Sequence, residues 1–215
     1  MEQHVALTIM QVSAYSAAIP LVAGILRWTK LRLEQRYIMY LVLFSITVEL
    51  LALLLGRYLH LPNLFLLHLF TIGQFGLLWL VFRMRLAPPL SQRYMWTILG
   101  IFGVAALASA VWLDGLFQFN AHARSIGAVL IVLLCLTYYY QRLTKLDLEN
   151  LETDPLFWIS TGSLVYFSGS LVMFIVSNYV AADQGMSLTM WAIHAILNTF
   201  NYLFLTIALW VRPTN

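Results

Sequence analysis

The chain has 215 residues, of which 61% are hydrophobic and only 10% charged, with a formal net charge of +3 at neutral pH. A water-soluble domain carries about 25% charged residues, so this composition excludes a globular protein wetted on all sides. The basic residues are dispersed among loops, which excludes a nucleic-acid interface, and the single cysteine, Cys135, excludes an intrachain disulfide or a cysteine metal cluster.

A hydrocarbon core of roughly 30 Å is crossed by about 20 apolar residues in a helix. Seven segments meet that length: about 5–26, 38–59, 63–82, 95–113, 124–141, 156–180 and 188–210. The first has no Lys or Arg before Arg27. A secretory leader places its basic residues ahead of its apolar core, so this segment reads as a retained span, and Pro20 inside it predicts a kink. "RWTKLRLEQR" leads into the second span, which carries Ser45 and Glu49, the only carboxylate well inside a span. "HLPN" turns the chain into the third, with His68, Thr71 and Gln74. "RMRLAPPLSQR", with Pro88 and Pro89, precedes the fourth, and "DGLFQFNAHAR" the fifth. In the longest loop, "QRLTKLDLENLETDP", Leu143, Leu146 and Leu151 give a weak apolar face. Asp154 and Pro155 have the residue types of an N-cap and a first helical position. The sixth span holds Ser163, Tyr166, Ser170 and Ser177 close to one face, beside Gly162 and Gly169; small residues of this kind let helices approach closely. In the seventh, "WAIHAILNTFNYLF" spaces His194, Asn198 and Asn201 four and then three residues apart, on one stripe of a helix.

These elements predict an all-α integral membrane protein, a single seven-helix transmembrane bundle over residues 1–215. Of the 12 Lys and Arg residues, Arg27, Lys30, Arg32, Arg36, Arg83, Arg85, Arg93, Arg142, Lys145 and Arg212 fall on one side, leaving Arg57 and Arg124 on the other. The positive-inside rule then predicts an outside N-terminus and a cytoplasmic C-terminus. Tyr138, Tyr139, Tyr140, Trp79, Trp112 and Trp210 sit near span ends, as interfacial aromatics do.

Polar side chains inside a membrane face the bundle interior or a water-filled cavity. Glu49, His68, Gln74, Tyr166, His194, Asn198 and Asn201 share the outer half or middle by depth, with Gln11, and are the candidate ligand-binding residues. His60 and His122 read as solvated loop residues. The pattern predicts a receptor-like sensor with an outward-facing pocket for a small or lipidic ligand, handing its signal to a cytoplasmic or membrane partner. A small-solute transporter is one alternative. An intramembrane zinc hydrolase is another, because two histidines and a carboxylate (His68, His194 and Glu49) form a known zinc set. No cofactor is assigned.

"DPLFWISTGSLVYFSGSLVMFIVSNYV" followed by "WAIHAILNTFNYLFLTIALW" resembles the last two spans of small bacterial seven-span modules associated with sensor histidine kinases. The resemblance implies an N-out bundle in a bacterial inner membrane and a sensory role. Seven-span zinc hydrolases of the ceramidase type carry H-x-x-x-H on one helix, where this chain has H-x-x-x-N in "HAILN". Carriers of the sugar-transporter type use a Pro-Gln motif, where Pro20 is followed by Leu21. A retinal Schiff base needs an intramembrane lysine, and Lys30 and Lys145 both lie in loops.

Overall fold

A computed structural model describes residues 3–86, 92–145, 150–180 and 184–212, with the backbone alone for residues 92, 177–180 and 184. Pro88, Pro89, Leu146 and the Ser177 side chain lie outside the described residues.

Among the described residues, every long element is a helix: α1 (Gln3–Ser16), α2 (Ala18–Leu26), α3 (Leu33–Leu53), α4 (Phe65–Arg85), α5 (Gln92–Trp112), α6 (Ala121–Thr144), α7 (Pro155–Val180) and α8 (Gln184–Trp210). With α1 and α2 taken together, seven are long and apolar enough to cross a membrane. The kink predicted at Pro20 is the break at Ala17 between α1 and α2. Proline has no N–H for the carbonyl four residues back, here Ser16, and its ring crowds that carbonyl. The Ser16 hydroxyl turns back onto the Ser13 carbonyl at 2.6 Å. Several helices run past the apolar segments. Thus α3 begins at Leu33, where Gln35 Oε1 accepts the Arg32 N–H at 2.8 Å in a capping box. At its far end α3 passes into a π-turn, Leu54–Tyr58.

The order around the bundle follows from the packing. α3 lies on α4, α4 on α6, α6 on α7 and α7 on α8, while α1 and α2 pack on α8, with α2 also touching α3. α5 sits outside, against α4 and α6. Apolar side chains such as Val12, Leu50, Val104, Leu133, Val172 and Ile175 point away from the bundle. That is the arrangement expected where the surrounding solvent is itself apolar.

The two ends differ. At the end carrying Lys30, Arg85 and Lys145, called here the basic end, Ile38, Val42, Trp79, Phe82, Ile131 and Leu209 form one continuous core. A partly buried ion cluster lies beside it. Arg85 donates to Glu34 Oε1 at 3.0 Å and to Asp154 Oδ1 at 2.9 Å, while Asp154 Oδ2 accepts from Arg142 and from the Tyr138 hydroxyl. Asp154 also takes the Leu156 N–H at 3.0 Å, so it caps α7 with Pro155 as the first helical residue. Gln35 Nε2 reaches the Ala208 carbonyl at 2.8 Å, tying α3 to α8. The opposite end is where the packing opens.

Candidate functional site

The opening is a cavity of about 370 Å³ among α3, α4, α6, α7 and α8, with Phe119 of the α5–α6 loop over it. Its size falls in the range of small-ligand sites, roughly 300–1,000 Å³. Helical periodicity places its polar side chains. On α3, Ser45 and Glu49 are four residues apart and face inward together; on α8, His194, Asn198 and Tyr202 repeat at the same interval. Tyr166 of α7 and Arg124 of α6 complete the polar set, while Val48, Leu67, Phe70, Phe119 and Trp191 supply an apolar lining. The α5–α6 loop is fixed over the cavity by Asn120, whose amide donates to the Leu67 carbonyl at 2.9 Å and to Thr71 Oγ1 at 2.6 Å.

Arg124, Tyr166, His194 and Ser170 form a chain. Arg124 Nη2 donates to the Tyr166 hydroxyl at 3.2 Å. That leaves the Tyr166 proton to point at His194 Nε2, 3.5 Å away. A consistent assignment makes His194 the Nδ1–H tautomer, donating to Ser170 Oγ at 3.1 Å. The imidazole is enclosed by the Tyr166, Phe174 and Trp191 rings. The Arg124 guanidinium lies 4.6 Å from the Phe174 ring centroid and 5.5 Å from that of Phe70, in cation–π range. Asn198 donates to Ser13 Oγ of α1 at 3.3 Å, and the Tyr202 hydroxyl lies beside Ser45 and Asn198.

Of the residues singled out in the sequence, Glu49, Tyr166, His194 and Asn198 meet in this cavity. Three do not line it. His68 is buried, but its Nε2 turns to the Gly115 carbonyl at 3.2 Å, so it steadies the loop. Gln74 is buried one layer deeper, beside Arg124 and Thr71 in a narrow void. Asn201 is buried in the α7–α8 contact, its Oδ1 3.1 Å from where a Cβ on Gly162 would stand. Ser163 and Ser170 face inward, but Gln11 is exposed. His60 and His122 are both exposed as expected, His122 standing in the first turn of α6 with Nδ1 2.6 Å from Asp114 Oδ1.

Arg124, Ser45 and Tyr202 also line the cavity and were not among the sequence candidates; Arg124 is the charged one. It counted as a boundary charge, yet α6 begins at Ala121 and Arg124 is buried one turn inside. With His68 turned away, Glu49 and His194 lack the third donor of the zinc set, and no group of three or more His, Cys, Asp or Glu converges among the described residues. A larger cleft of about 460 Å³ between α1 and α8 is almost wholly apolar and has no converging polar groups.

Among the described residues the geometry defines a helical bundle with a polar cavity of about 370 Å³ at the end away from its basic cluster and a smaller one of about 180 Å³ beside that cluster. No protein-family model, curated protein or solved structure matches the chain.

Proposed function

We propose that this protein is a multi-pass cell-membrane sensor of the receptor type, N-terminus outside. Its outward-facing cavity holds a small or lipidic ligand, and a membrane or cytoplasmic partner receives the signal. The observation that carries this reading is the cavity itself. It joins five helices, gathers Glu49, Arg124, Tyr166, His194 and Asn198, and lies at the end opposite the Arg85–Asp154 cluster. Polar groups converging in an otherwise apolar pocket are what small-molecule recognition uses. The orientation follows from the basic residues gathered at the closed end. A transporter would need a path through the basic half, where Trp79, Phe82, Ile131 and Leu209 are almost fully buried in one core and a smaller cavity of about 180 Å³ lies beside Arg85 and Arg142.

The test has two arms. Cys135 is fully buried, so its background labelling is low. Single cysteines at Lys30 and Phe117 in intact cells should label from opposite faces, position 117 from outside; labelling of both from one side defeats the orientation. In the second arm, Ala52→Trp, which fills the cavity from α3, should abolish thermal stabilisation of the purified protein by bound ligand. Substrate accumulation in proteoliposomes would replace the sensor with a carrier.

A further inference from the structure

Two ionisable side chains of opposite sign in the cavity wall, Arg124 and Glu49, form no ion pair within 4.0 Å among the described residues. Arg124 is only 7% exposed, its Nε has no hydrogen-bond partner, and Nη2 donates only to the neutral Tyr166 hydroxyl. A guanidinium does not deprotonate in proteins. Among the described residues, no carboxylate stands within 4.0 Å of it. Among the described residues, Glu49 is the only carboxylate lining the same cavity, and it makes no side-chain hydrogen bond and no ion pair. The two charges sit on separate helices, α6 and α3, facing one space. An unpaired charge in such surroundings is costly, and intramembrane charges normally pair or mark a functional path.

Resting on the reading of this cavity as a ligand site, we infer that its occupant is a zwitterion, with an anionic group on Arg124 and an ammonium on Glu49. A lone anion would satisfy Arg124 and meet repulsion from Glu49; a lone cation would do the reverse. A planar guanidinium with free N–H donors matches a carboxylate or phosphate oxygen pair. The rings of Phe70, Phe119 and Trp191 receive the apolar part. A free amino acid and a phosphoethanolamine lipid headgroup share this chemistry.

The experiment uses the full chain in nanodiscs of phosphatidylglycerol, which present no ammonium. Binding and thermal unfolding are measured with glycine, L-leucine and L-phenylalanine, and with phenylpropionate, phenethylamine and phenylpropanol as anionic, cationic and neutral controls. At least one amino acid should bind about tenfold or more tightly than the controls. In phosphatidylethanolamine nanodiscs, a lipid-headgroup ligand instead shows as a higher unfolding temperature and suppressed amino-acid binding. Either pattern supports the zwitterion and identifies its source. Glu49→Gln should shift preference toward phenylpropionate, and Arg124→Gln toward phenethylamine, with Arg124→Lys keeping the wild-type order. If Arg124→Gln does not fold, the Glu49→Gln shift alone decides. Equal binding of phenylpropanol, or an order unchanged by Glu49→Gln, overturns the zwitterion and leaves a ligand pocket standing. No response to any compound or lipid, with Ala52→Trp equally silent, overturns the pocket as well.

Discussion

Arg124 shows what depth along a helix leaves out. Distance from a span end gives a polar residue's depth, and depth says nothing about the angle around the axis. Arg124, Gly127, Ala128, Ile131 and Cys135 are all buried on one face of α6. Carrying that 3.6-residue periodicity one turn back from the apolar run would have turned Arg124 inward. Glu49, His194 and Asn198 were legible because four-residue spacings locked their angles to those of neighbouring polar groups. His68 and Gln74 had the right depth, but His68 Nε2 meets the Gly115 carbonyl of the α5–α6 loop and Gln74 lines a separate small void that also touches Arg124. Nothing in their spacing distinguishes these cases. Tyr166 supplies the only protein hydrogen-bond acceptor shown for Arg124. Tyr166→Phe should therefore cost about 1–2 kcal/mol, measured by denaturant titration in mixed micelles. An unchanged midpoint would mean that water or ligand holds the guanidinium instead.

The elements were far more legible than the site. Apolar length located all seven long helices, because a chain in hydrocarbon must satisfy its backbone polar groups within each segment. Helix ends shifted where polar residues continue the coil, as Glu34 and Gln35 do at the start of α3. Pro20 and Asp154 read correctly because their effects are local. The face of α7 also carried information about its neighbour. A Cβ on Gly162 would stand 2.6 Å from Phe204 Cβ, and one on Gly169 would stand 2.8 Å from Leu197 Cδ1. Phe204 Cβ is fixed close to the backbone and cannot rotate away. Gly162→Ala should accordingly destabilise the bundle by about 1–3 kcal/mol, whereas Gly100→Ala on α5, where a Cβ meets nothing within 4 Å, should be nearly silent. Equal midpoints for the two variants in thermal unfolding would refute the close α7–α8 contact.

The whole molecule is joined at one end and open at the other. Asp154 draws together Arg85 of α4, Tyr138 and Arg142 of α6 and the start of α7, and through Arg85 it is linked to Glu34 of α3. Asp154→Asn keeps a capping oxygen but removes the charge between two arginines. It should lower stability by about 1–3 kcal/mol, seen as a reduced unfolding temperature; a shift near zero would show that the cluster contributes little.

Five cavity-forming helices fastened at one end behave like the blades of tongs about a rivet. Spreading the tips around an occupant would move the far ends of α3, α4, α6, α7 and α8 most and the neighbourhood of Asp154 least. A partner waiting at the riveted end would have the smallest excursion to read. The larger one is offered along the flanks, where α1 meets α8 above the break at Ala17 and α5 leans on α4 and α6. If the proposed ligand site is right, occupancy would then be read sideways, by another helix lying against the blades.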